Sequence, residues 1–181
     1  METLTNSSVA ERVKAAIRDI PDFPKEGIVF KDITPILMDH QLCNDIADAI
    51  VNQVKDLDIQ AIACVEARGF LFGPIIAQKM KIPFVPIRKK GKLPYKTVSH
   101  EYELEYGSAI IEMHEDAVVK GSRVLIHDDL LATGGTAAAA AELIGMYGHP
   151  VAFSFLVDLT FLKGSEVLSK YSKDIFSVVA Y

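Results

Sequence analysis

An α/β fold, built on a mostly parallel twisted sheet flanked by helices, is what the sequence predicts, and three observations predict it. Short apolar runs of strand length alternate with helical patterns from about residue 61 onward, and Gly and Pro residues punctuate the joins. The longest run without a charged side chain, Leu143 to Val157, is broken by Gly145, Gly148 and Pro150, whereas a membrane-spanning helix needs about 20 mainly apolar residues. Alternation of this kind gives parallel strands joined by crossover helices, with ligands at the carboxyl ends of the strands. The 181 residues amount to one domain, half of them apolar and 24% charged, with a mean hydropathy of +0.22. That composition excludes a disordered or fibrous chain. A formal charge of −5 argues against nucleic acid as the main partner.

The elements follow in order. Ser8 and Glu11 have the spacing of a capping box, and Val9, Val13, Ile17 and Ile20 line one helical face until Pro21. Pro21, Pro24, Gly27 and Pro35 make PDFPKEGIVFKDITPIL extended or looped. Leu42, Ile46, Ile50, Val54 and Leu57 predict a helix over about 41–57. Ala61 to Val65 suits a buried strand, Pro74 to Met80 a helix with Pro in its first turn, and Ile82 to Ile87 the next strand, one βαβ unit. A hairpin follows, its best strand Ser108 to Glu112. The strand Arg123 to His127, the alanine-rich helix Thr136 to Met146 and the strand Val151 to Val157 make a second unit. A short helix, Gly164 to Lys170, and a strand, Ile175 to Ala180, come last. Residues 1–40 and about 92–110 stand outside the alternation and are expected to cover the site. Cys43 and Cys64 lack metal-ligand spacing and read as reduced thiols, and the opening residues lack a basic segment followed by an apolar one, so a cytoplasmic protein is expected.

The most informative stretch is Val124-Leu-Ile-His-Asp-Asp-Leu-Leu-Ala-Thr-Gly-Gly-Thr136. An apolar strand ends in two acids, and a small-residue loop then opens a helix. Gly134 and Gly135 let the backbone turn sharply and approach a ligand, while Thr133 and Thr136 add hydroxyls. Unsatisfied N–H groups and about half a positive charge at the helix start suit a phosphate monoester without any Lys or Arg in the loop. Asp128 and Asp129, acceptors only when ionised, suit neighbouring sugar hydroxyls. A plain tight turn and a magnesium site made by the acids are the competing readings. A nucleoside-triphosphate loop is disfavoured because no Gly-Lys-Ser/Thr follows, and a dinucleotide loop because G-x-G-x-x-G is absent.

With HDDLLATGGT, the chain resembles the type I phosphoribosyltransferases, and in its LLATGGT form their adenine-using members. PDFPKEGIVFKDITP near the start, EARGFLFGP at 66–74, PIRKKGKLP at 86–94 and YELEYG at 102–107 extend the resemblance over almost the whole chain. It implies the type I phosphoribosyltransferase fold as a single domain over 1–181, with an N-terminal hood (about 1–40) and a mobile lid (about 93–106). The implied reaction is Mg²⁺-dependent transfer of the 5-phosphoribosyl group from phosphoribosyl pyrophosphate (PRPP) to N9 of adenine by a homodimer. Its competitors are a PRPP- or nucleotide-sensing regulator and a 6-oxopurine transferase.

The resemblance also assigns roles. Asp128, Asp129, Ala132, Thr133, Gly134, Gly135 and Thr136 would hold the ribose phosphate. Arg68, in a loop often built around a non-proline cis peptide, would hold pyrophosphate with Arg88 and Lys92, chosen from the basic run Arg88, Lys89, Lys90, Lys92 and Lys96, with Lys89 and Lys90 expected to face solvent or a partner subunit. Val29, Lys31 and Leu130 would contact adenine, although the family more often has Arg where this chain has Lys31, so a planar guanidinium is missing there. Glu105 would handle the purine proton, and Tyr106 would pack nearby. The metal would rest mainly on PRPP and water, without a dedicated protein ligand.

Overall fold

The computed structural model describes residues 8–103 and 107–181. Helix α1 (Val9–Ala16) carries the expected capping box: Glu11 N–H donates to Ser8 Oγ, and Ser8 N–H donates to Glu11 Oε2 at 2.8 Å. It ends five residues before Pro21. Arg18–Pro21 instead forms β1, paired antiparallel with β2 (Val29–Asp32) in a two-stranded sheet. Across this hairpin the Arg18 guanidinium meets Asp32 at 2.9 Å, and the Lys31 ammonium meets Asp19 at 2.7 Å. The helical spacing of Ile17 and Ile20 was therefore misleading, because pairing with β2 outweighed propensity over so short a span. A 3₁₀ turn, Thr34–Met38, leads into α2 (His40–Val54), capped by the Asp39 carboxylate on the Leu42 amide.

The remaining elements alternate as expected: β3 (Ala61–Val65), α3 (Gly73–Met80), β4 (Phe84–Lys89), β5 (Thr97–Glu103), β6 (Ser108–His114), β7 (Arg123–Leu131), α4 (Gly135–Gly145), β8 (His149–Asp158), α5 (Gly164–Leu168) and β9 (Ile175–Ala180). They build a seven-stranded sheet in the order β5-β6-β4-β3-β7-β8-β9. The five strands β4, β3, β7, β8 and β9 run parallel, and the β5-β6 hairpin adds an antiparallel edge. One departure matters for the site. The sequence ends a strand at His127, but β7 continues to Leu131, because β8 supplies partners through Asp128↔Phe155, Leu130↔Val157 and Leu131↔Asp158.

Two apolar cores cover the faces of the sheet. On one, the alanine run of α4 (Ala137–Ala141, all buried) lies against Val85, Ile87, Val124, Ile126 and Phe153. A helix apolar on all sides is a buried helix, and alanine lets it sit close to the strands. On the other face, α1, α2 and α3 bring Val13, Ile46, Ile50 and Ile76 onto Ile62, Leu125 and Leu156. Both cysteines are free thiols, and burial pushes the Cys64 thiol well above its ordinary range. No helix among the described residues is long and apolar enough to cross a membrane.

Candidate active site

The loop after β7 closes on the start of α4. Gly134 stands at φ +82°, and a Cβ there would lie 2.7 Å from the Gly164 carbonyl oxygen, so backbone conformation and space both call for glycine. Among the described residues no side chain caps α4; its first ladder bond runs from Ala138 N–H to the Gly134 carbonyl at 2.9 Å. The preceding amides thus point outward at the positive end of the helix dipole. They face a cavity of about 190 Å³ walled by Arg68 and residues 128–137. Asp128, Asp129, Ala132, Thr133, Gly134, Gly135 and Thr136, all expected here, line it together.

The two acids are held tightly. Asp129 N–H donates to Asp128 Oδ1 at 2.8 Å, and Asp129, 2% exposed, has its Oδ2 3.1 Å from Arg68 Nε. Among the described residues, Oδ2 has this ion-pair partner but no hydrogen bond. Burial, reinforced by the neighbouring acid, pushes Asp128 well above the usual carboxylate range. Burial also raises Asp129, against the pull of the Arg68 guanidinium. The loop carrying Arg68 follows β3, contains a cis peptide between Glu66 and Ala67, and lies so close to β7 that a Cβ on Gly69 would meet Asp128 Oδ1 and the His127 carbonyl at 3.0 Å. The Arg68 guanidinium also sits 5.1 Å from the centre of the Phe30 ring, which brings the N-terminal hairpin to the site.

Two further cavities adjoin the first. One, of about 320 Å³, shares Arg68, Asp128, Asp129 and Thr136 with it and adds Glu66, Ala67, Lys89 and Tyr102. The cation it receives from β4 is Lys89. Arg88 and Lys92, expected to bind pyrophosphate, are not on the wall of any of these cavities. Arg88 turns to Glu66, Nε to Oε2 at 2.6 Å, and to the Lys92 carbonyl at 3.0 Å, while the Lys92 side chain is exposed. The reason is the two-residue period of a strand: Val85 and Ile87 face α4, so Lys89 continues that face and Arg88 takes the other. That parity was readable in the sequence.

The other cavity, of about 700 Å³ and mostly apolar, shares Ala132 and Thr133 with the first and is walled by Val29, Lys31, Ile28, Phe161, Leu162 and Tyr181 among others. Val29 and Lys31, both expected to contact adenine, line this cavity together; the Lys31 ammonium is engaged with Asp19 and lies 4.1 Å from the centre of the Tyr181 ring. Leu130 lines the 190 Å³ cavity and not this one. Residues 159–162 and Tyr181 had no assigned role. The signal for them was position, since they directly follow the carboxyl ends of β8 and β9. Glu105 and Tyr106 lie outside the described residues.

A mostly parallel sheet whose β7–α4 turn presents uncapped amides beside two acids, one buried and one half-buried, defines a class, and the comparisons agree with it. The family model for the phosphoribosyl transferase domain matches residues 32–177, and the chain belongs to that family. Among its relatives, the adenine phosphoribosyltransferase of Cytophaga hutchinsonii is 54% identical over 179 residues, 98% of this chain and 99% of that one. The crystal structure of adenine phosphoribosyltransferase from Thermoanaerobacter pseudethanolicus superposes with a TM-score of 0.91 at 48% identity, over 95% of this chain and 99% of that one. The Saccharomyces cerevisiae enzyme of the same name, complexed with an imino-altritol bisphosphate and adenine, gives 0.87 at 39% identity, over 94% and 98%.

Proposed function

We propose that this chain transfers the 5-phosphoribosyl group of PRPP to N9 of adenine, giving AMP and pyrophosphate. The observation that carries the reading is the contiguity of three cavities in the order an extended nucleotide needs: the apolar one for the base, the α4 start for the ribose phosphate, and the Arg68–Lys89 side for the diphosphate. Its support from relatives is the recurring name of the most similar proteins and the adenine bound in one of them.

In this reading the amides of residues 135–137 and the hydroxyls of Thr133 and Thr136 hold the 5-phosphate. Asp128 and Asp129 accept hydrogen bonds from the ribose hydroxyls and fix the ring. Arg68 and Lys89 face the diphosphate, Arg68 through a planar fork that matches phosphate oxygens. The bond between C1 and the diphosphate oxygen breaks, its electron pair leaving with pyrophosphate; N9 bonds to C1, and the N9 proton departs. We assign the handling of that proton to Glu105. The β1–β2 hairpin serves as the hood over the base, and residues 93–106 as the lid over the reacting centre, excluding water from a sugar cation.

Mg²⁺ suits the donor chemistry here, since the site offers only hard oxygen ligands. Among the described residues no cluster of three or more His, Cys, Asp or Glu could hold a metal ion. The ion would rest on diphosphate, ribose oxygens and water, with Asp128 and Asp129 the carboxylates at hand. When bound, it supplies positive charge to the leaving group. A cytoplasmic homodimer completes the proposal.

The test is turnover with labelled adenine, hypoxanthine or guanine, each with PRPP and Mg²⁺. AMP formed from adenine supports the reading. Binding of nucleotide without AMP formation would make the chain a sensor, and turnover of hypoxanthine or guanine in preference to adenine would make it a 6-oxopurine enzyme.

A further inference from the structure

Arg88 and Glu112 stand opposite each other in the β4–β6 register and grip the same turn from two sides. Arg88 Nε donates to Glu66 Oε2 at 2.6 Å, and its Nη1 donates to the Lys92 carbonyl at 3.0 Å. Glu112, 4% exposed, accepts the amides of Lys92 and Leu93 at 3.1 Å each and the Thr97 hydroxyl at 3.2 Å. No ion pair meets Glu112 among the described residues. A carboxylate buried among neutral donors is costly unless hydrogen bonds satisfy it; two of these come from the turn that joins β4 to β5 and the third from the first residue of β5. The turn closes with Lys92 N–H on the Lys89 carbonyl at 3.3 Å and holds Gly91 at φ +81°. Lys89, at its first corner, faces the cavity beside Arg68; Glu66, at the far end of the chain of contacts, lines the same cavity.

We propose that Arg88 and Glu112 are positioning residues: together they fasten the β4–β5 turn to the loop after β3 and so aim the Lys89 ammonium at the diphosphate, which Arg88 itself does not bind. The proposal rests on reading that cavity as the diphosphate site, but one arm of its test does not need catalysis. Limited trypsin digestion of the folded protein reads the turn directly. Arg88→Met and Glu112→Leu should speed cleavage after Lys90 and Lys92 at least tenfold, with the conservative Arg88→Lys and Glu112→Gln intermediate. Should Glu112→Leu fail to fold, Glu112→Gln carries this arm, with a severalfold acceleration expected.

The second arm is a double-mutant cycle on kcat/KM for PRPP. If Arg88 acts through Lys89, Arg88→Met should cost tenfold or more in the native background and less than twofold once Lys89→Met is present. An Arg88→Met variant with a raised KM for PRPP, an unchanged digestion rate and a cost that multiplies with that of Lys89→Met would make Arg88 a diphosphate ligand and overturn the proposal. If no AMP forms in any background, the reading of the site fails while the digestion result still decides whether the turn is fastened as described.

Discussion

His127 sits one residue before the acid pair, fully buried, with Nδ1 2.9 Å from Ser154 Oγ and, among the described residues, no hydrogen-bond partner for Nε2. Burial lowers its pKa to about 4 from 6.5. The unfolded chain therefore binds more protons between these values, and stability must fall as pH drops through that window. The full difference corresponds to about 3 kcal/mol, of which about 2 kcal/mol is lost between about pH 7.5 and about pH 5. The perturbation is His127→Val, which suits a strand interior and removes the titrating ring. Leaving Ser154 unpaired and a small void costs stability at both pH values, so the comparison is a double difference: urea unfolding of each protein at each pH. The raised proton affinities of Asp128 and Asp129 act in the opposite direction, but equally in both proteins. Wild type should lose about 2 kcal/mol more than the variant on acidification. Equal losses would refute the buried, neutral imidazole.

Further outcomes follow from the same geometry. Gly134→Ala places a side chain at a left-handed φ and against the Gly164 oxygen; with about 1–2 kcal/mol from the backbone alone, kcat/KM for PRPP should fall at least tenfold and Tm by several degrees. An unchanged variant would contradict the close approach. Phe161→Ser, at a ring 69% exposed on the wall of the largest cavity, should raise KM for adenine severalfold and leave KM for PRPP alone. Glu105→Gln should lower kcat by roughly 10²- to 10⁴-fold, more than it weakens PRPP binding; the reverse pattern would make it a binding residue. PRPP binding should release protons, read by titration calorimetry in buffers of different ionisation enthalpy, and affinity should rise with pH above the ordinary carboxylate range; proton uptake would contradict the assigned role of the acids.

Much of this was legible in the chain because strong local signals agreed with the global fold. The Ala61–Val65 and Ile175–Ala180 strands stand where their apolar runs put them, and the Ser8–Glu11 box begins α1. The β7–α4 loop was legible because a strand, two acids and two glycines are adjacent in sequence. Other parts depend on pairing between distant residues. The end of α1 was set by a strand partner more than ten residues on, and the extension of β7 by the length of β8. The largest of the three cavities joins Asp19, residues 27–29, Lys31, Ala132, Thr133, Leu159, Phe161, Leu162 and Tyr181, which no local pattern connects. Lys89 against Arg88 was a different matter: period-two alternation from Val85 decides which cation faces the site.

The acid pair links fold to chemistry most directly. Parallel strands end at one edge of the sheet, so β7 carries Asp128 and Asp129 to where β3 delivers Arg68 and α4 delivers its amides. Burial raises the proton affinity of both carboxylates, and the neighbouring Asp129 raises that of Asp128 further, while the Arg68 guanidinium and neighbouring backbone amides pull the other way. On the proposed reading ribose hydroxyls donate to the pair, and they bond more strongly to an ionised carboxylate than to a protonated one, so a bound sugar would shift the pair toward charge. Positive character growing at C1 of a sugar held there would favour both charges further, as the ligand displaces water from the site. Burial that is unfavourable in the free protein therefore becomes an interaction strongest when the sugar is most cationic. This is the kind of difference between ground state and transition state that accelerates the chemical step.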